Sequence, residues 1–357
     1  MIRMSVVILA LFAVVALGAI GAMRMMFEPL PPLAARFQPE DCDHITLVDR
    51  SSEMPVIGIE DIAVMPDGRL LLSAQNRLAN EAGKGPGAAD GLFVVNPADL
   101  RSDMVLASRI YLPDDPDLRP HGIAVSDNLM AVINRAYGSA GFETASLRIY
   151  ALGMAHPRLL EVVPGLCAAN NVAIAEAGRE ATSFFVTLDR GSCPETSPLD
   201  VVLPHGRGAV VSIDFPGPDA GIETQTGFTS PNGIVANRLG IGDSFVVAET
   251  RRDRLYLGPG DVIALPGSPD NLTLQGSRDV IVALHPSLPK LGLYRYGWAG
   301  SAASRIARVN LDSREVEILF DDPEGGLLSG ATVGMMILGR LYAGSVRDAG
   351  LLVCEAA

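Results

Sequence analysis

Eight polar residues that could do chemistry share one local grammar: each opens a short apolar, strand-like run. Glu60-Asp61 precede Ile62-Ala63-Val64, His121 precedes Gly122-Ile123-Ala124-Val125, and Asn170-Asn171 precede Val172-Ala173-Ile174. Asn232 opens Gly233-Ile234-Val235, and Asp270-Asn271 open Leu272-Thr273-Leu274. Two adjacent carboxylates at a strand start repel one another unless something positive lies between them. Carboxylates and side-chain amides are oxygen donors, a set that calcium takes and that suits zinc poorly. Any one Asn-Gly or Asp-Asn pair is more often an ordinary turn. Their common place in a repeat is what points to ligation.

The elements that must position these residues follow from the same repeat. After each opening comes an apolar run, a turn and a second apolar run. In the first copy Pro66-Asp67-Gly68 separates the two runs, which is hairpin chemistry. The paired runs are 62–65 with 69–73, 123–125 with 130–133, 172–174 with 184–186, and 234–235 with 245–247. Two more are 272–274 with 280–283 and 331–333 with 340–343, the last opened by Gly330. Further strand-like runs lie at 91–95, 146–150, 209–213, 305–309 and 351–353. Such units, recurring roughly every 40–60 residues, predict an all-β chain, a six-bladed β-propeller. A two-sheet sandwich would not restart six times. The innermost strand of each blade would line a central channel, so the polar openings should converge on one mouth.

Composition narrows the partners. The chain has 357 residues, 48% hydrophobic and 19% charged, with a net charge of −13. That charge argues against nucleic acid or anionic lipid as a partner and is compatible with calcium. Only Lys84 and Lys290 are lysines among 28 basic residues, a compositional bias without functional meaning. Residues 1–27 carry Arg3 and then an apolar run over 6–22, read as a signal peptide or a membrane anchor. Small residues Ala19 and Gly21 would suit cleavage; Met23, Met25, Met26 and Phe27 would extend a span. Either way the body is exported. A Pro-rich linker over 28–41 then leads into a catalytic propeller over 42–357. Four cysteines fit an oxidising compartment. A Cys42–Cys354 bridge falls where a propeller must join its first and last blades. Cys167 and Cys193 could form a second, local bridge, the alternative being free thiols.

Several stretches together resemble a known family. They are Gly58-Ile59-Glu60-Asp61, Pro120-His121-Gly122-Ile123, Asn232-Gly233-Ile234, Asp270-Asn271 and His285-Pro286. Gly330-Ala331-Thr332-Val333 and Leu351-Leu352-Val353-Cys354-Glu355 complete the set. In order and spacing, residues 58–355 resemble the paraoxonase and arylesterase group of six-bladed, calcium-dependent lactonases. The resemblance implies that Glu60, Asn170, Asn232, Asp270 and Asn271 hold a catalytic calcium. It also implies a second, structural calcium among Asp61, the carbonyl of Ile123 and Asn171. Two departures matter. The family has an acid where this chain has Asn171, so the second site should bind calcium weakly or stay empty. The family pairs its His-Gly-Ile histidine with another histidine, and the matching position is Arg135. The implied chemistry is hydrolysis of a lactone or aryl ester, with the metal polarising the carbonyl. His121 would be general base on a water, and Arg135 would stabilise anionic charge.

Other chemistries fall away. The chain has no G-x-S-x-G elbow, no H-E-x-x-H helix and no P-loop, Gly83-Lys84-Gly85 being only a superficial likeness. His44, His156, His205 and His285 have no metal spacing, and His285 is given a channel-rim or structural role. The Asn271-Leu272-Thr273 sequon is discounted, because a channel-facing ligand could not carry a glycan. Loops 75–90 and 286–301, with Tyr294, Tyr296 and Trp298, should shape the substrate pocket. Two competing readings remain: a gluconolactonase-like sugar-lactone hydrolase, and a non-catalytic propeller acting as a binding platform.

Overall fold

A computed structural model of the protein describes residues 27–82, 90–137, 143–153, 156–175, 182–190, 206–215, 223–237 and 244–356. Strand β1 (Cys42–Asp49) is followed by β2 (Ile59–Val64), β3 (Leu70–Ala74), β4 (Gly91–Val95) and β5 (Met104–Arg109). A four-stranded antiparallel sheet comes next: β6 (Pro120–Val125), β7 (Leu129–Tyr137), β8 (Glu143–Ala151) and β9 (Arg158–Val163). The pattern repeats in β10 (Ala169–Ala175), β11 (Thr182–Leu188), β12 (Gly208–Phe215) and β13 (Glu223–Phe228). It repeats again in β14 (Pro231–Ala236), β15 (Phe245–Glu249), β16 (Arg254–Gly258) and β17 (Asp261–Ala264). The next sheet is β18 (Ser268–Gln275), β19 (Asp279–His285), β20 (Ser304–Asn310) and β21 (Val316–Asp322). Last come β22 (Ala331–Ile337), β23 (Arg340–Ser345) and β24 (Leu351–Cys354).

Consecutive strands pair as neighbours, the up-and-down order of propeller blades. The first and last groups fuse into one eight-stranded sheet through β1. Its first half pairs antiparallel with β24, Cys42 opposite Cys354, while Thr46 to Asp49 run parallel to β5. The Cys42–Cys354 disulfide locks this junction across 312 residues of sequence. On the chain-entropy account, closing so long a loop restricts the unfolded chain by roughly 6 kcal/mol. Cys167 is disulfide-bonded as well; Cys193, its expected partner, lies outside the described residues.

The core sits between sheets. Ile45, Leu47, Ile59, Leu72, Phe93 and Val105 form one buried cluster around the fused sheet. Phe185 and Phe228 both pack edge-on against Phe245 of the neighbouring sheet. Among the described residues two short α-helices interrupt the strands: α1 (Arg77–Glu81), capped by Asn76, and α2 (Leu288–Arg295), capped by Ser287. Part of the Pro-rich stretch read as a linker is docked. Arg36 and Phe37 donate their backbone N–H groups to Ile318 and Leu319 of β21, and Phe37 is buried. Among the described residues no helix is long and apolar enough to cross a membrane. The apolar segment of residues 1–26 lies outside them.

Candidate metal centre at the channel mouth

The first strand of each group, β2, β6, β10, β14, β18 and β22, carries a register shift near its start. The shifts fall at the polar openings: around Glu60, His121-Gly122, Asn170-Asn171, Asn232-Gly233, Asp270-Asn271 and Thr332. A bulge breaks strict alternation and re-aims side chains, which is why such irregularities recur beside active sites. Here it allows two successive polar residues to be buried in the interior. Glycine lets adjacent first strands close up. A Cβ on Gly122 would lie 2.4 Å from the Asn171 Cα, and one on Gly233 2.6 Å from the Asp270 carbonyl oxygen.

Glu60, Asn170, Asn232 and Asp270, from four different strands, line one cavity of about 250 Å³. Glu60 Oε2, Asn170 Oδ1, Asn232 Oδ1 and Asp270 Oδ1 are all buried and accept no hydrogen bond. A buried unsatisfied oxygen costs about 1–3 kcal/mol, more when charged, so these four form a cradle fitted to a cation, while a fifth on the same wall, Asp189 Oδ1, accepts no hydrogen bond but is ion-paired with Arg190 at 3.2 Å. Two carboxylates and two amides match calcium. Among the described residues no group of three or more His, Cys, Asp or Glu converges, which is not a zinc arrangement. Asn271 stands beside this set but is engaged. Its Oδ1 accepts from Asn171 Nδ2 at 2.7 Å, and its Nδ2 donates to the Glu60 carbonyl at 2.7 Å.

Asp61, Ile123 and Asn171 also come together, through hydrogen bonds. Asp61 Oδ1 accepts from the Ile62 N–H at 2.9 Å. Its Oδ2 accepts from the Ile123 N–H at 2.9 Å and from Asn171 Nδ2 at 3.3 Å. Asn171 Oδ1 accepts from the Val172 N–H at 2.6 Å. Burial pushes the Asp61 carboxyl up to about 8, against the Ile123 and Ile62 N–H groups and with help from the Glu60 charge. Of the second ligand set, Ile123 thus offers its N–H to Asp61.

His121 is fully buried between two guanidinium groups. Arg77 Nη2 lies 2.6 Å from its Nδ1, and Arg135 Nη1 lies 2.7 Å from its Nε2. Burial first, then the charges of Arg77, Arg135 and Arg295, hold this imidazole well below its usual range, so it stays neutral. Arg77 also pairs with Glu60 Oε1 at 2.5 Å, and Arg135 with Asp189 Oδ2 at 2.9 Å. These arginines line the cavity and His121 lies behind them. The histidine on the cavity wall is His285. Its Nε2 lies 2.7 Å from Asp270 Oδ2, which fixes the proton there; Nδ1 is buried without a partner.

Sequence reasoning missed Arg77, Asp189, Arg190, Arg251 and Arg295, all on the cavity wall. A signal was present. The second strand of each group runs antiparallel to the first, so it ends at the mouth where the first began. Arg77 follows β3, Arg135 lies near the end of β7, Asp189-Arg190 follow β11, Arg251 follows β15 and His285 ends β19. Of the expected pocket loops, 286–301 contributes α2, with Leu288, Leu291 and Tyr296 on the wall. Trp298 is largely exposed, and Tyr294 is buried with its hydroxyl on Asp348. Of the 75–90 loop, residues 83–89 lie outside the described residues.

No model of a known protein family matches the chain. No curated protein matches it either. Among solved structures it is similar, at 12% identity and a TM-score of 0.47, to a glucose dehydrogenase, covering 85% of this chain and 99% of that one. A mannose phosphorylase from Leishmania mexicana, in complex with phosphate ion, is similar at 11% identity and a TM-score of 0.41, covering 90% and 88%. Likenesses this distant say nothing about which reaction the chain performs. The sheet order itself identifies an all-β, propeller-like protein.

Proposed function

We propose that the chain is a six-bladed propeller that hydrolyses lactones or aryl esters with calcium, a member of the paraoxonase and arylesterase type. The blade count takes the eight-stranded sheet as two blades, β2–β5 and β22–β24 with β1, beside the four separate sheets. The observation that carries the function is the cradle of four orphaned oxygens. A binding platform has no need of buried, unsatisfied carboxylates.

Glu60, Asn170, Asn232 and Asp270 would hold the ion, with Asn271 beside them. Bound there, calcium would supply positive charge that polarises an ester carbonyl and favours the oxyanion. The geometry favours His285, rather than His121, as the base that meets water. With its Nε2–H held on Asp270 Oδ2, its Nδ1 is the free lone pair able to take a proton. His121, neutral and with a single lone pair, accepts from one of the Arg77 and Arg135 guanidinium groups and so acts as a positioning residue at the wall. Leu288, Leu291 and Tyr296 give the pocket an apolar side suited to an acyl chain or aryl ring. The Cys42–Cys354 disulfide supports an oxidising, exported setting, with residues 1–27 as cleaved signal or anchor.

The test is hydrolysis of aliphatic lactones, sugar lactones and phenyl acetate, with calcium, after chelation, and after calcium is restored. Turnover lost on chelation and regained with calcium is expected, and the preferred substrate separates a paraoxonase-like enzyme from a sugar lactonase. Turnover indifferent to chelation, or none from folded, calcium-loaded protein, overturns the reading.

A further inference from the structure

The stretch that leads into the first strand is built from residues that can donate very little. Residues 29–33 read Pro-Leu-Pro-Pro-Leu, so only Leu30 and Leu33 keep a backbone N–H. Both are used. Leu33 donates to Asp321 Oδ2 at 2.7 Å, and Leu30 donates to the Pro286 carbonyl at 3.1 Å. On one side of them Arg36 and Phe37 are fastened to β21, and Phe37 is buried in one cluster with Ile306 and Leu319. On the other side the Phe27 carbonyl accepts from Ser287 Oγ, the cap of α2, at 3.4 Å. The prolines keep the segment extended before it docks, so docking it loses little chain entropy.

At the centre lies Arg305, fully buried. Its Nε and Nη2 fork onto Asp321 at 2.7 and 3.2 Å. Its Nη2 also donates to the Pro31 carbonyl at 2.8 Å, and its Nη1 to the Pro266 carbonyl at 2.6 Å. A buried ion pair often gives no more stability than apolar side chains of the same volume. What this one adds is direction: it ties the extended segment to the end of β21 and to the turn leading into β18, the strand that carries Asp270. The wall helix α2 is therefore held from two sides. Near its C-terminus the Tyr294 hydroxyl donates to Asp348, and Arg347 donates to the Tyr294 carbonyl. Its N-terminus rests on residues 27–30. We propose that residues 27–37 form a strap that positions α2, with Arg305 as the positioning residue that fastens it. The strap sets how closely Leu288, Leu291 and Tyr296 approach an acyl chain or aryl ring in the cavity. The inference rests on the hydrolase reading for what the wall binds, but not for the hold on α2.

The experiment is hydrogen exchange read by mass spectrometry on the full chain with calcium. Leu30 is 43% exposed, so Leu30→Pro deletes one N–H without disturbing a core side chain. Exchange over residues 288–296 should quicken about fivefold, the scale of one net hydrogen bond, while β7 and β8 stay unchanged. Leu30→Ala keeps the N–H and should change little. Arg305→Lys keeps a charge against Asp321 but loses the fork that reaches Pro31 and Pro266, and should give the same local signature. In parallel, KM is measured for a lactone with an alkyl tail and for the same ring without one. Leu30→Pro should raise only the former, again about fivefold, with kcat unchanged because Asp270 holds His285 independently. Faster exchange confined to α2, without turnover of any lactone, upholds the strap while the hydrolase reading falls. Calcium-dependent turnover with α2 exchange and both KM values unchanged in Leu30→Pro overturns the strap and leaves the hydrolase reading standing. Equal effects of Leu30→Pro and Leu30→Ala, or faster exchange spread evenly over all the sheets, likewise overturn it.

Discussion

Two polar clusters in the same channel reach opposite solutions to one problem. Glu60, Asn170, Asn232 and Asp270 leave four buried oxygens without a donor. Asp61 and Asn171 sit next to them in sequence and belong to the same bulges, yet they are satisfied internally by the Ile62, Ile123 and Val172 N–H groups and by one another. The difference lies in what each amide presents. Asn170 and Asn232 leave an oxygen unpartnered, whereas Asn171 donates its NH₂ to both Asp61 and Asn271. An NH₂ group that donates twice stands in for positive charge. One cluster calls for a cation, and the other has replaced it with hydrogen bonds.

The largest expected effect comes from the unsatisfied cluster. Calcium should raise the melting temperature saturably, with stabilisation of about 2.7 kcal/mol at a hundredfold excess over Kd. Glu60→Gln together with Asp270→Asn should abolish both that shift and any calcium-dependent hydrolysis. Differential scanning fluorimetry with and without chelator checks the first, and the assay described above the second. An undiminished shift in the double variant would move the metal elsewhere.

Next in size is the contrast between the two histidines. His285→Gln should lower kcat by about 10²-fold or more, as loss of a general base does, with little change in KM. His121→Gln keeps a partner for the arginines and should cost much less. The reverse order would restore His121 as the base.

The same comparison explains what the sequence disclosed. The paired inner strands were legible because they alternate long apolar runs with turns, and each is buried. The outer strands were not. In β13 five of six residues, Glu223 to Gly227, are exposed, and β17 has only four residues. Such segments gain their strand character from pairing with an inner neighbour, not from a pattern of their own. Glu60, Asn170, Asn232 and Asp270 could be found because they open repeats. Arg77, Arg251 and Arg295 come from loops and helices whose position depends on where the second strands end, a property of the closed fold. The orientation of Asn171 is further out of reach, since it depends on an amide rotamer set by Asp61 and Asn271.

Asn171→Asp would test whether that one amide separates the clusters. It removes the donor to Asp61 and Asn271 and places a second carboxylate against Asp61, so chelated protein should lose about 1–3 kcal/mol. Calcium should then restore the loss, and bound calcium measured by elemental analysis after dialysis should rise from one ion per chain to two. A variant that loses stability but stays at one ion would show that geometry, not charge, closes the second position.

The smallest effect is a slope. In chelated protein the Asp61 carboxyl is raised to about 8 by burial, so the folded chain holds a proton that the unfolded chain releases near 3.8. Between those values the folded state binds more protons, and stability must fall as pH rises. The group is neutral in both states below this window and ionised in both above it, so its contribution is flat on either side. Within the window the slope from this one group is at most about 1.4 kcal/mol per pH unit. Asp61→Asn removes the titration and should flatten the curve by that amount, read by urea melts at pH 5, 6 and 7 in the presence of chelator. The Glu60/Asp270 pair should respond differently: calcium addition should stabilise the protein across the same range, and Asp61→Asn should leave that increment nearly intact. If Asp61→Asn instead erased the calcium increment, the two clusters would be one site, and the division between them would fail.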